Sequence, residues 1–123
     1  MTSIKSMTAQ LLVVCEECLE RHAEMRRQDL EPDFFNEVKP YADEQFDLLD
    51  IWKDEILTWI RRDRPKYIHL QQILALDDMM RQFIVQSFYQ KTGKKRFVQS
   101  IQSARYTLQT VMNALEVREE DPS

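Results

Sequence analysis

A single glycine in 123 residues constrains this chain more than any other feature. Gly93 is that glycine, Asn36 and Asn113 are the only asparagines, and there are four prolines. Strands must be joined by tight turns, and tight turns draw on glycine, asparagine and proline. An all-β or α/β chain of this length is hard to build from so few. Long helices joined by a few loops need only what is present. Apolar residues make up 43% of the chain, enough for a hydrophobic core. The expected architecture is all-α: one up-down-up-down antiparallel four-helix-bundle domain over residues 1–123, with a short extra helical turn between helices 1 and 2.

Apolar periodicity predicts where the helices lie. From Ser3 to Gln28, Ile4, Leu11, Cys18 and Met25 recur every seven residues, with Cys15 and His22 between them. Thr2, Ser3 and Ser6 are all possible N-caps. Asp29–Lys39 reads as a connection in which Asp33 caps a turn bearing Phe34 and Phe35, expected to plug one end of the core. Pro40 disfavours helical geometry at Lys39, so a break or kink is expected there. Helix 2 is predicted over Pro40–Arg62, with Ala42, Phe46, Leu49, Trp52, Ile56, Trp59 and Ile60 as its stripe and Pro65 as its stop. Helix 3 is predicted over Ile68–Lys91, with Ile73, Leu76, Met80, Phe83, Ile84 and Phe88 inside and Gly93 as a left-handed stop. Helix 4 is predicted over Lys94–Val117 along Phe97, Ile101, Ala104, Leu108, Val111 and Leu115. Helices of roughly 23 residues span about 35 Å each, and short connections make neighbours antiparallel.

Net charge is −4 and the pI is about 5.2, against the basic face of a nucleic-acid binder. No apolar run approaches a membrane span. Met1–Lys5 lacks the basic start and apolar stretch of an export signal. The expectation is a cytoplasmic protein with two reduced thiols, without nucleic-acid or membrane partners.

Several words of the sequence occur together and in order: Asp33-Phe34-Phe35, Val38-Lys39-Pro40, Arg64-Pro65-Lys66-Tyr67-Ile68-His69, Gln86-Ser87-Phe88, Lys94-Lys95-Arg96-Phe97 and Tyr106-Thr107-Leu108. In these the chain resembles the YppE-like proteins, a bacterial domain-of-unknown-function family. The resemblance covers roughly residues 33 to 115, and helix 1 matches only in pattern. It implies a four-helix bundle and brings no activity, cofactor or catalytic residue. Cys15 and Cys18 lie outside it.

Candidate chemistry divides by helical geometry. Cys15, Cys18 and His22 share one helix face and are the candidate metal ligands. A structural zinc site needs four ligands, and His69 is the only other histidine. Two buried thiols beside a hydrogen-bonded histidine are therefore expected, with no metal and no cofactor. A di-iron bundle needs Glu-x-x-His, but Leu19 and Lys66 stand three before the histidines. Glu17-x-x-Glu20 with Glu44-x-x-Asp47 imitates the magnesium motif of all-helical nucleotide pyrophosphatases. At about 100° per residue, Glu20 and Glu44 point away from the apolar stripes, so a metal-dependent nucleotide hydrolase is the least favoured reading. The aromatics Trp52, Trp59, Phe46, Phe83, Phe88 and Phe97 read as core.

Two basic clusters remain. Lys94, Lys95 and Arg96 start helix 4, where positive charge opposes the helix dipole and free N–H groups attract anions, making them the candidate anion site. Arg26 and Arg27 share that pole with Asp29, Glu31, Asp33 and Glu37, which are expected to neutralise it. At the other pole Arg64, Lys66, Tyr67 and His69 combine cations with tyrosine on a loop, the composition of a protein-contact hot spot. The acidic tail Glu116–Asp121 is expected to pair with that loop. No catalytic residue is assigned. The first expectation is a non-catalytic interaction or accessory module with a protein partner, and the second a small-ligand or anion-binding protein.

Overall fold

The computed structural model describes residues 3–120, with side chains through Glu116. Helices α1 (Ile4–Gln28), α2 (Lys39–Asp63), α3 (Leu70–Gln86) and α4 (Lys94–Glu120) pack around one core, and a π turn over Phe34–Val38 leads into α2. Among the described residues there is no strand. Cross-contacts fix the direction of each neighbour. Glu17 meets Tyr41 and Thr8 meets Trp52, so α1 and α2 are antiparallel. Asp50 meets Arg81 and Lys53 meets Asp77, reversing α3 against α2. Glu16 meets Arg105 and His22 meets Phe97, reversing α4 against α1. The up-down-up-down bundle is thus formed.

The interior is the set of apolar stripes. Leu11, Val14, Cys15 and Cys18 of α1 pack with Leu49, Trp52 and Ile56 of α2, Ile73, Leu76, Met80, Phe83 and Ile84 of α3, and Phe97, Ile101, Ala104, Leu108 and Val111 of α4. Trp52, Trp59, Phe83, Phe88 and Phe97 are buried, while Phe46 is half-buried beneath the Arg81 guanidinium. No helix among the described residues is long and apolar enough to cross a membrane.

Helix ends follow capping chemistry. Ser3 is the N-cap of α1, its hydroxyl accepting from the Ser6 N–H at 3.0 Å. Asp33 caps the π turn by accepting from the Asn36 N–H at 3.1 Å. The break expected at Lys39 is absent: Val38 and Lys39 are both right-handed helical. A proline ring in an α-helix clashes with the carbonyl four residues back. Here the wider π turn lies immediately before, and the chain runs through Pro40 into α2.

Three other expectations are corrected. Phe34 and Phe35 do not plug the core; they are 47% and 75% exposed, edge-to-face at 5.3 Å. The buried position of this short turn falls at Val38, which leaves both rings outside. Helix α3 ends at Gln86 rather than Lys91. The Ser87 hydroxyl donates back to the Ile84 carbonyl at 2.8 Å, and local side-chain bonds of this kind compete with helix propagation. Gly93 is not a left-handed stop; its φ is not positive, and its carbonyl accepts from the Phe97 N–H at 3.1 Å as the N-cap of α4. The left-handed positions belong to Asp29, Arg64 and Tyr67.

Candidate functional site

The α2–α3 loop holds the most unusual backbone of the described residues. α2 ends on Arg64, at φ 46°, whose N–H donates to the Ile60 carbonyl at 2.9 Å. Pro65 fixes the next φ. Tyr67 then adopts φ 67°, which an aromatic residue rarely tolerates. Ile68 is buried and anchors the loop, and the Gln72 side chain accepts from the His69 N–H at 2.7 Å to start α3. Both ends are therefore pinned, while the Tyr67 ring stands 77% exposed.

Beside this loop lies a groove of about 590 Å³, walled by Arg64, Pro65, Lys66 and Tyr67 on one side and by Thr110, Asn113 and Ala114 of α4 on the other. A second hollow of about 390 Å³ is lined by Tyr67, His69, Gln72, Tyr106 and Thr110. The two meet at Tyr67 and Thr110. All four residues expected as partner contacts, Arg64, Lys66, Tyr67 and His69, thus line one or other of these two adjoining recesses. Sequence reasoning missed the α4 wall. Its signal was Tyr106, an aromatic off the Ile101–Leu108 stripe, which stands 75% exposed. Neither Arg64 nor Lys66 forms an ion pair among the described residues, whereas Asp63 pairs with Arg62 at 3.1 Å. The tail expected to neutralise this loop lies, beyond Glu116, outside the residues whose side chains are described.

At the opposite pole Lys94 lines a hollow of about 470 Å³ with His22, Arg26, Arg27 and Phe97, and Lys95 and Arg96 lie outside it. Arg26 donates to the Gln90 carbonyl at 3.1 Å, and Arg27 bonds Glu24. The expected neutralisation takes no ion-pair form: among the described residues no acid pairs with Lys94, Lys95 or Arg96. Asp33 and Glu37 are spent on the π turn, Glu37 accepting from the Asp33 N–H at 3.0 Å.

Cys15, Cys18 and His22 do share one face of α1, and all three are buried. Burial, and then the neighbouring Cys18, push the Cys15 thiol up to about 12. Burial pushes Cys18 up to about 11 against the pull of Arg21. His22 Nε2 is 3.2 Å from the Thr92 carbonyl, and its ring lies 4.2 Å from that of Phe97. Its pKa is lowered, chiefly by burial. Among the described residues no group of three or more His, Cys, Asp or Glu is placed to hold a metal ion. Glu20, Glu44 and Asp47 are exposed, as is Glu17, which accepts from the Tyr41 hydroxyl at 3.0 Å. The Arg21 guanidinium, which no sequence pattern singled out, lies between the Tyr41 and Phe88 rings at 4.1 and 4.4 Å and donates to the Ser87 hydroxyl at 2.9 Å.

With this geometry in hand, comparison with known proteins decides the family. The profile of a bacterial domain of unknown function, DUF1798, matches residues 8–115. The chain belongs to this family. The DUF1798 match takes in most of α1, beyond the stretch whose wording is recognisable by eye. The uncharacterized protein YppE of Bacillus subtilis is 34% identical over 119 residues, covering 97% of this chain and 95% of its own. Its crystal structure superposes with a TM-score of 0.91 at 31% identity, covering 96% of each chain. A protein of unknown function from Listeria innocua gives 0.90 at 28% identity, covering 96% of this chain and 94% of the other. DUF1798 thus supplies the bundle and no assigned activity.

Proposed function

We propose that this bundle is a cytoplasmic, non-catalytic interaction module that holds a protein partner at the α2–α3 loop. One observation carries the reading: Tyr67 is kept in a left-handed backbone conformation while its ring faces solvent over a groove. Such strain costs on the order of 1–3 kcal/mol and persists only where the surroundings impose it. An exposed ring brings little stability in return. Function is the reason to retain it, and tyrosine beside arginine is the composition of contact hot spots. Two buried cysteines without a disulfide suit a reducing compartment. The test is affinity purification of the tagged protein at native level from its source bacterium, beside variants carrying Arg64→Ala, Lys66→Ala, Tyr67→Ala or His69→Ala. Loss of a co-purifying protein with unchanged circular dichroism supports the reading; variants that keep the whole complex refute it.

A second reading, anion binding at Lys94, Lys95 and Arg96, is favoured by the lack, among the described residues, of an acid partner for these three at the start of α4. Titration with inorganic phosphate, followed by amide chemical shifts, tests it; unmoved signals over 94–97 end it.

A further inference from the structure

We infer that the groove between the α2–α3 loop and α4 takes an extended acidic peptide segment. This rests on the contact reading above and adds the chemistry of the partner. The groove offers cationic and amide donors, although the Thr110 hydroxyl spends its hydrogen on the Tyr106 carbonyl at 2.9 Å. Arg64 and Lys66 bring cationic N–H groups that meet no carboxylate among the described residues. Asn113 has its Oδ1 taken by Gln109 Nε2 at 3.0 Å, so its amide N–H₂ is what it offers. Asp63, the one carboxylate in the lining among the described residues, is already held by Arg62. An acceptor-rich, negatively charged occupant complements that inventory. Pro65, Tyr67 and Ala114 supply apolar surface between the polar groups, suiting an aliphatic or aromatic side chain beside the acid.

Shape selects a peptide over a compact ligand. The groove and the hollow at His69 and Tyr106 have Tyr67 and Thr110 in common, so two recesses lie side by side along the loop and α4. An extended chain, advancing about 3.3 Å per residue, can place successive side chains in two neighbouring recesses, which a compact ligand cannot fill together. Nucleic acid is also anionic, but a protein of net charge −4 repels a polyanion over its wider surface.

The experiment is selection from a random displayed-peptide library on the full-length protein, followed by titration of the selected peptides with amide shifts as readout. The expected result is enrichment of Asp or Glu beside an aromatic or aliphatic residue. Binding should move the Tyr67, Thr110 and Asn113 signals and weaken with salt. Arg64→Gln with Lys66→Gln should reduce affinity about tenfold, and Arg64→Glu with Lys66→Glu by more, with circular dichroism unchanged. Peptides that move these signals without an acidic bias overturn the inference and leave the contact reading standing. Acidic peptides that move other signals, or a library yielding none that moves these, overturn it too. The co-purification comparison with the loop variants then decides the contact reading separately.

Discussion

The Trp52 indole N–H donates to the Thr8 hydroxyl at 2.9 Å, and that hydroxyl donates in turn to the Ile4 carbonyl at 2.7 Å. Both side chains are fully buried, so the largest fully buried side chain of α2 is held to α1 by a polar chain inside the core. Thr8→Val keeps the shape and strands the indole N–H, costing about 1–3 kcal/mol. Trp52→Ala should cost about 3–5 kcal/mol through the cavity it leaves. In a Trp52→Phe background the donor is gone, and Thr8→Val should then cost less. Urea denaturation of the four-member cycle measures the coupling; strictly additive losses would show that the bond contributes nothing.

Asp77, buried on α3, accepts from Lys53 at 3.2 Å and from Arg81 at 3.1 Å, and Arg81 also reaches Asp50 on α2. This is an α2–α3 clasp rather than a catalytic cluster. The cations are about 28% and 29% exposed and can turn to water, so Asp77→Ala should cost only about 1–2 kcal/mol. A shift in urea midpoint of that size is expected with the far-ultraviolet spectrum unchanged.

Most of the fold was legible because amphipathic period and turn scarcity agree. The Leu11–Cys18, Leu49–Ile56 and Ile101–Leu108 stripes are the buried faces. What failed to read were sites where tertiary contacts override local rules. Gly93 carries the stop signal of a helix end, yet α3 has already ended where Ser87 bonds back to Ile84 and accepts from Arg21 across the bundle. Left-handed caps fell instead on Asp29 and Arg64, and a third left-handed residue, Tyr67, lies inside the α2–α3 loop; neither Arg64 nor Tyr67 is a residue that composition rules select for that geometry. At the candidate site the loop residues were legible as a cation-and-tyrosine word. The α4 wall was not, because Thr110 and Asn113 meet the loop only once the bundle forms.

His22 ties stability to pH. Burial lowers its folded pKa below the ordinary value of 6.5, so the native state favours the neutral ring. The unfolded chain then binds more protons than the native one as the pH drops below about 6.5. The His22 contribution is present above that pH and is lost as pH falls through the folded value. Between pH 7.5 and 5, the wild-type urea midpoint should decline more steeply than that of His22→Gln; parallel profiles would contradict this.

Cys15 and Cys18 should be silent in the native state. Their raised pKa values leave little thiolate at pH 8, and both are fully buried. Modification by a thiol reagent should run at least about a hundredfold faster in denaturing urea than in buffer. Comparable rates in the two would place one sulfur at the surface.

The direct test of a strained contact residue is Tyr67→Gly, measured for both stability and partner binding. Glycine adopts positive φ freely, which relieves about 1–2 kcal/mol of backbone strain against about 0.5–1 kcal/mol of added chain entropy. The predicted result is a urea midpoint equal to wild type or higher, together with loss of the co-purifying partner. A variant destabilised by more than about 1 kcal/mol, or one that still holds its partner, would contradict the assignment of Tyr67 to binding.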